Sequence, residues 1–161
     1  MKEEKINITS EYDGLKLEGI LISPESEIKA VIQLVHGMNE HKERYIDFMR
    51  FLAQNGYACF IHDHRGHGAS LKNEEDIGYF YDAKAEYEKH NLKLPIHFIA
   101  GSDDPVIASK KDWEKAQTFL KNLGYTNMTS KLYENMSHEI LNEVDNKTVY
   151  QDVLNWIDGV I

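Results

Sequence analysis

The sequence predicts an α/β fold, a three-layer sandwich in which a mostly parallel sheet lies between helices and an N-terminal antiparallel hairpin precedes it. Three observations lead there. Short apolar runs, "AVIQLVHG" (30–37), "YACFIHD" (57–63) and "LPIHFIAG" (94–101), are continuous rather than alternating, the pattern of strands covered on both faces. Between them lie segments whose apolar residues recur at helical spacing, so strands and helices take turns along the chain. Strict alternation around a tight-turn signal occurs only at the start.

That start, "KINITSEYDGLKLEGILIS", reads as the hairpin. Ile6 and Ile8 precede, and Leu15 and Leu17 follow, the pair Asp13-Gly14, which favours a type I′ turn. After the first buried run, "ERYIDFMRFLAQNG" gathers Tyr45, Ile46, Phe48, Met49, Phe51 and Leu52 on one helical face and stops at Gly56. The second run leads into "HRGHGAS", a glycine-marked loop. "DAKAEYEKHN" (82–91) is predicted as a short helix, and the third run begins beside Pro95, where a strand tolerates proline. Ser109 with Asp112 forms a capping box for a helix whose core face is read as Trp113, Ala116, Phe119, Leu120 and Leu123, ended by Gly124. "NMTSKLYE" is the fourth parallel strand. "KTVYQDVLNWIDGV" is the last helix, with Val149, Tyr150, Val153, Leu154, Trp156 and Ile157 inward.

With 161 residues, no repeats and no low-complexity linker, the chain is expected to be one domain, 1–161. Acidic residues outnumber basic ones, 27 to 18, and no basic stripe is present, which argues against a nucleic-acid partner. The single cysteine, Cys59, cannot make an internal disulfide, and "MKEEKINITS" has no apolar stretch. Both point to a cytoplasmic location. No apolar run approaches the ~20 residues of a membrane span.

In an open parallel sheet, ligands bind outside the carboxyl ends of the strands, so four loops carry the candidate chemistry. They are "HGMNEH" (36–41), "DHRGHGAS" (63–70), "GSDDPV" (101–106) and "NMSHEI" (135–140). In this order they resemble the α/β-hydrolase superfamily, in its branch of lysophospholipases, monoacylglycerol lipases and serine aminopeptidase-like hydrolases. The resemblance implies an oxyanion-hole N–H from Met38, a structural loop built on Asp63, Arg65, Gly66, His67, Gly68 and Ser70, a triad carboxylate at Asp104 and a triad histidine at His138. In complete relatives such a carboxylate fixes the imidazole tautomer, and the imidazole takes the proton of a serine that attacks an acyl or lipid-like carboxylic ester. No cofactor is implied.

The resemblance has a gap. The family's serine stands in a Gly-x-Ser-x-Gly elbow between the "RGHGAS" loop and the acid loop, and none of the eight serines here has that setting. Nucleophile strand, elbow, neighbouring helices and cap all fall where this chain passes directly from "GYFYD" to "AKAEYEKHNLKLP". The chain reads as an N-terminal half, 1–81, and a C-terminal half, 83–161, joined near residue 82. With the four parallel strands called a to d, family topology then gives the order b-a-c-d, which is an allowed doubly wound sheet. Helix faces that lost their cover would be exposed, at roughly 25 cal/mol per Å² of apolar area, which favours a homo-oligomer.

Other chemistries are weaker. His62, His64 and His67 with Asp63 are of metal-ligand type, but the resemblance assigns that loop a structural part, so no metal is expected; His36 is read as loop-shaping. Cys59 lies inside an apolar strand, which predicts an inert thiol. Ser70 and Ser102 sit near the catalytic edge without a nucleophile's strand-turn-helix setting. The expectation is a hydrolase-like protein with no nucleophile and absent or very weak ester hydrolysis. The alternatives are a non-catalytic binding or assembly module, or a truncated product.

Overall fold

Strands β1 (Lys2–Thr9) and β2 (Lys16–Ser23) pair antiparallel, from Lys2 opposite Ser23 to Thr9 opposite Lys16, and so form the expected hairpin. The structure is a computed structural model of the 161-residue chain and describes residues 1–11, 13–37, 39–71, 73–74 and 92–161. The predicted helix at 82–91 lies outside the described residues. The hairpin's connection is wider than a two-residue turn. Residues 10–15 are closed by Ser10 N–H donating to Leu15 O (2.8 Å) and Gly14 N–H donating to Ser10 O (2.9 Å). A type I′ turn joins two strands by two residues, whereas here the strands end at Thr9 and resume at Lys16, with Gly14 at φ 72°. Asp13 instead spends its carboxylate on Leu15 N–H (3.2 Å) and on the Arg65 guanidinium (2.6 and 2.9 Å).

The chain divides into two compact units, Met1–Lys84 and Ala85–Ile161. In the first, β3 (Ala30–Gln33) and β4 (Tyr57–His62) are parallel, Ala30 opposite Tyr57, and β4 also pairs antiparallel with β2. The sheet order is β1-β2-β4-β3. β4 is flanked by strands on both sides, and its continuous apolar run is buried as predicted, with Cys59 and Ile61 at 0% exposure. The same reading fails for β3. It is the outermost strand of this sheet, it is only four residues long, and Val31 is 70% exposed.

Helix α1 (Ile46–Gln54) buries Phe48, Met49 and Leu52 of the predicted face together with Ala53, while Tyr45, Ile46 and Phe51 are half-buried. Each large apolar side chain taken from water there contributes roughly 1.5–3 kcal/mol. Gly56, at φ 95°, ends the helix in the left-handed conformation that glycine adopts without cost.

The second unit alternates strand and helix: β5 (Ile96–Gly101), α2 (Lys110–Asn122), β6 (Met128–Tyr133) and α3 (Asn146–Asp158). β5 and β6 are parallel and in register from Ile96 opposite Met128 to Gly101 opposite Tyr133. Alternate residues of β5 serve opposite faces. His97 stacks on Trp156 of α3 at 5.4 Å, and Ile99 packs on a core of Tyr133, Met136, Ile140 and Val149. Phe98 meets Trp113 of α2 edge-on at 5.9 Å. One helix therefore covers each face, the three-layer arrangement expected.

The Ser109 cap is present, its Oγ accepting from Asp112 N–H at 3.2 Å. The expected core face of α2 is present only in part: Trp113, Leu120 and Leu123 are half-buried, Ala116 and Phe119 exposed. No α2 residue is fully buried, and Phe119 is 60% exposed. The half-buried residues are Trp113, Gln117 and Leu120, at i, i+4 and i+7; Phe119 lies about 100° around the helix from Leu120 and points away. Among the described residues no helix is long and apolar enough to cross a membrane.

Candidate active site

The parallel pair β5–β6 does not stop at its last register position. Beyond Gly101 and Tyr133 the two chains stay joined, residue by residue, to the candidate acid and base. Ser102 N–H donates to Tyr133 O (2.8 Å), Asn135 N–H donates to Ser102 Oγ (2.8 Å), and Asp103 N–H donates to Met136 O (2.9 Å). Two residues after Met136, His138 donates from Nδ1 to Asp104 Oδ2 at 3.0 Å. Gly101 permits this approach, because a Cβ there would lie 2.0 Å from Met136 O and 2.2 Å from Ser137 O. Asn135, at φ 59°, turns the second loop back, in a conformation asparagine tolerates better than most residues.

The carboxylate is fixed from both sides. Asp104 caps the short 3₁₀ turn Pro105–Ile107, its Oδ1 accepting from Val106 N–H at 2.7 Å, and it is only 7% exposed. The His138 side chain is 58% exposed. With Nδ1–H committed to the carboxylate, Nε2 is the nitrogen turned away from it, so the buried carboxylate sets which ring nitrogen can act as a proton acceptor. The two residues that sequence reasoning singled out on separate loops are thus brought into direct contact.

The other predicted site residues fare differently. Met38 lies outside the described residues. Ser102 Oγ donates to Asp103 Oδ1 (3.0 Å) while accepting from Asn135, so it works as a clamp between the two loops. Ser70 Oγ donates to Asp63 O and accepts from Glu18 N–H, each at 3.0 Å, inside the first unit's fold. Cys59 is buried, and loss of hydration pushes its thiol up to about 12, which keeps it protonated and unreactive at neutral pH.

The Asp63 loop has its own centre, which sequence reasoning did not foresee. Lys42, with no exposed side-chain surface, donates from Nζ to Asp63 Oδ2 (2.6 Å) and meets Glu43 (2.8 Å) and Glu18 (3.0 Å). Burial disfavours its charge, but the three carboxylates outweigh that and hold its pKa above the ordinary lysine value. Asp63 also accepts from Lys42 N–H (2.8 Å) and Ala69 N–H (2.8 Å). A Cβ on Gly68 would lie 2.2 Å from Asp63 Oδ2, which accounts for that glycine. Nothing in "EHKERY" marks Lys42 as buried; beside its neighbour Glu43, its partners Glu18 and Asp63 are distant in sequence.

The histidines around this loop hold backbone. His36 Nε2 accepts from His64 N–H (2.9 Å), His64 Nε2–H donates to His36 O (3.1 Å), and the Nδ1 atoms of His62 and His67 donate to the Asp63 and Arg65 carbonyls (3.1 and 2.9 Å). Among the described residues, no three His, Cys, Asp or Glu side chains are grouped as metal ligands.

The family model described as serine aminopeptidase, S33, matches residues 26–89 and again residues 81–145. The chain belongs to that family. Both matches include loops described above, the Asp63 loop in the first and the Asp104 and His138 loops in the second. This S33 chain is also similar to protein K6 of vaccinia virus, strains Western Reserve and Copenhagen, with 34% identity over 59 residues, 37% of this chain and 73% of K6. Among solved structures, a highly thermostable carboxyl esterase from Bacillus coagulans superposes with a TM-score of 0.83 at 13% identity, over 99% of both chains. A lipase in its open form gives 0.75 at 14% identity, again over 99% of both. At such identities the likeness concerns the fold, which is that of the α/β-hydrolases.

Proposed function

We propose that this S33 chain is a serine-less α/β-hydrolase of lysophospholipase or monoacylglycerol lipase type, in which the Asp104–His138 acid–base pair is kept and ester hydrolysis is absent or very weak. In this reading the two units form one shortened domain joined near residue 82, in the cytoplasm, and the ancestral substrates are acyl or lipid-like carboxylic esters. The observation that carries it is the 3.0 Å contact between a buried Asp104 and an exposed His138 ring. Ser102 and Ser70 have their hydroxyls engaged elsewhere, and Cys59 is buried and protonated. A base without a nucleophile can accept a proton but cannot form an acyl-enzyme. Intact mass after exposure to a fluorophosphonate probe tests this. An unmodified chain is the expected result, and an adduct that disappears in His138→Ala would overturn it.

A second reading, a non-catalytic binding or assembly module, draws support from apolar residues left at the surface: Phe119 on α2 and Val144 in the histidine loop, 60% and 99% exposed. It expects a discrete oligomer by light scattering coupled to size exclusion.

A further inference from the structure

The His138 loop carries one contact that the Asp104–His138 pair does not explain. Ser137 N–H points between the two carboxylate oxygens of Glu143, at 2.9 Å from Oε1 and 3.0 Å from Oε2. Ser137 immediately precedes His138, so this bond holds the Met136–Ser137 peptide, one unit ahead of the residue that carries the imidazole. We propose that Glu143 is a positioning residue for His138, holding the ring on Asp104 and thereby keeping it in a single tautomer with Nε2 free. The proposal rests on the reading of Asp104 and His138 as a retained acid–base pair.

Glu143 is well placed for this because its own segment is tied to the core. Ile140 is buried beside Met136 and Val149, and Leu141 O accepts from Tyr150 Oη–H (2.9 Å) and Asn146 Nδ2–H (3.2 Å), both on α3. Asn146 N–H then donates to Glu143 O at 3.1 Å. Support therefore runs from α3 through Leu141 and Glu143 to Ser137 and the ring. From the other side Ser102 and Asp103 hold Asn135 and Met136, so each of the three residues before His138 is anchored.

Ser137 is at the surface, so when the carboxylate is removed water can take its place on the amide. The variant is expected to fold, and the effect is expected on ring geometry. A hydrogen bond to a charged acceptor also confines direction more tightly than one to water. Without it the Met136–Ser137 peptide is held through Met136 O alone, and the exposed imidazole beyond it can leave Asp104 and sample its second tautomer.

Proton–nitrogen correlation of the imidazole rings in the full-length, nitrogen-15-labelled chain, at about pH 8 where an ordinary imidazole is neutral, is the test. His138 of the unmodified chain is expected to show the pattern of the Nδ1–H tautomer. Glu143→Ala is expected to shift it to an averaged pattern of both tautomers, and to speed Ser137 amide exchange about tenfold or more, the factor such a bond is worth. Glu143→Gln retains an acceptor and is expected to restore both. An unchanged His138 pattern in Glu143→Ala would overturn the proposal, and so would a Glu143→Gln variant as disturbed as the alanine one. Fluorophosphonate labelling of the unmodified chain would overturn the serine-less reading while leaving these ring spectra as they are, so the two failures are distinguishable.

Discussion

Each unit holds an aspartate just past the carboxyl end of a strand, yet the two do opposite things. Asp63 follows β4, is completely buried, and has both oxygens engaged by Lys42 and by backbone N–H groups. Asp104 follows β5, is nearly as buried, and has one oxygen on a backbone N–H and the other on an imidazole that faces solvent. The first site is closed. Its carboxylate and its lysine are both fully buried, and it ties the hairpin, α1's approach and the glycine-rich loop together. The second is open, with its last acceptor in water. A buried carboxylate is thus structural or chemical according to where its partner ends, which the residue type and a place after a strand do not show by themselves and the surrounding loop does.

The comparison is broken most severely at the closed site. Asp63→Ala takes from a buried ammonium the shortest of its three carboxylate contacts and leaves two backbone donors without their acceptor, and should destabilise the chain by ~2–4 kcal/mol, seen as a lowered urea midpoint. Lys42→Met leaves Asp63 its two N–H partners and should cost less than Asp63→Ala; equal losses would mean that the ion pair outweighs the backbone contacts. Gly101→Ala tests the open site's foundation. Its methyl meets carbonyl oxygens that cannot rotate aside, for a cost of ~1–3 kcal/mol and loss of the His138 Nδ1–H pattern in ring spectra.

A smaller effect is set by pH. Burial first, then neighbouring His36, holds the His64 pKa below the ordinary imidazole value. The folded chain then binds fewer protons than the unfolded one below about pH 6.5. Stability should be level above that value and fall as pH drops through it toward the folded pKa, and His64→Gln should flatten the decline in urea midpoint. The smallest effect belongs to His138→Ala. An exposed side chain whose removal leaves Asp104 capped should change stability by no more than ~0.5 kcal/mol, in contrast to anything done to Asp63.

Much of this was legible because it is local. The apolar run of β4, the stripe of α1 and the Ser109 cap each depend on neighbours within a few residues, and each appears where its pattern places it. What was not legible depends on neighbours far along the chain. β3 has the same kind of run as β4, but within their sheet β4 is paired on both sides and β3 on one. Phe119 has helical spacing to Leu123, but the stripe that meets β5 passes through Gln117 instead. Asp13-Gly14 suits a tight turn, yet Asp13 is drawn to Arg65, 52 residues on. Asp104 and His138 could be found from their loop contexts; Lys42 and Glu143 could not, because each looks like an ordinary surface charge until its partner is known.

Cys59 has a practical consequence. It is the chain's sole cysteine, it is fully covered, and its thiol stays protonated. A maleimide at neutral pH therefore finds nothing to react with in the native fold. A pair of cysteines introduced at surface positions would take fluorophores or spin labels with no need to remove the natural residue, so a distance within the chain can be measured with Cys59 left in place.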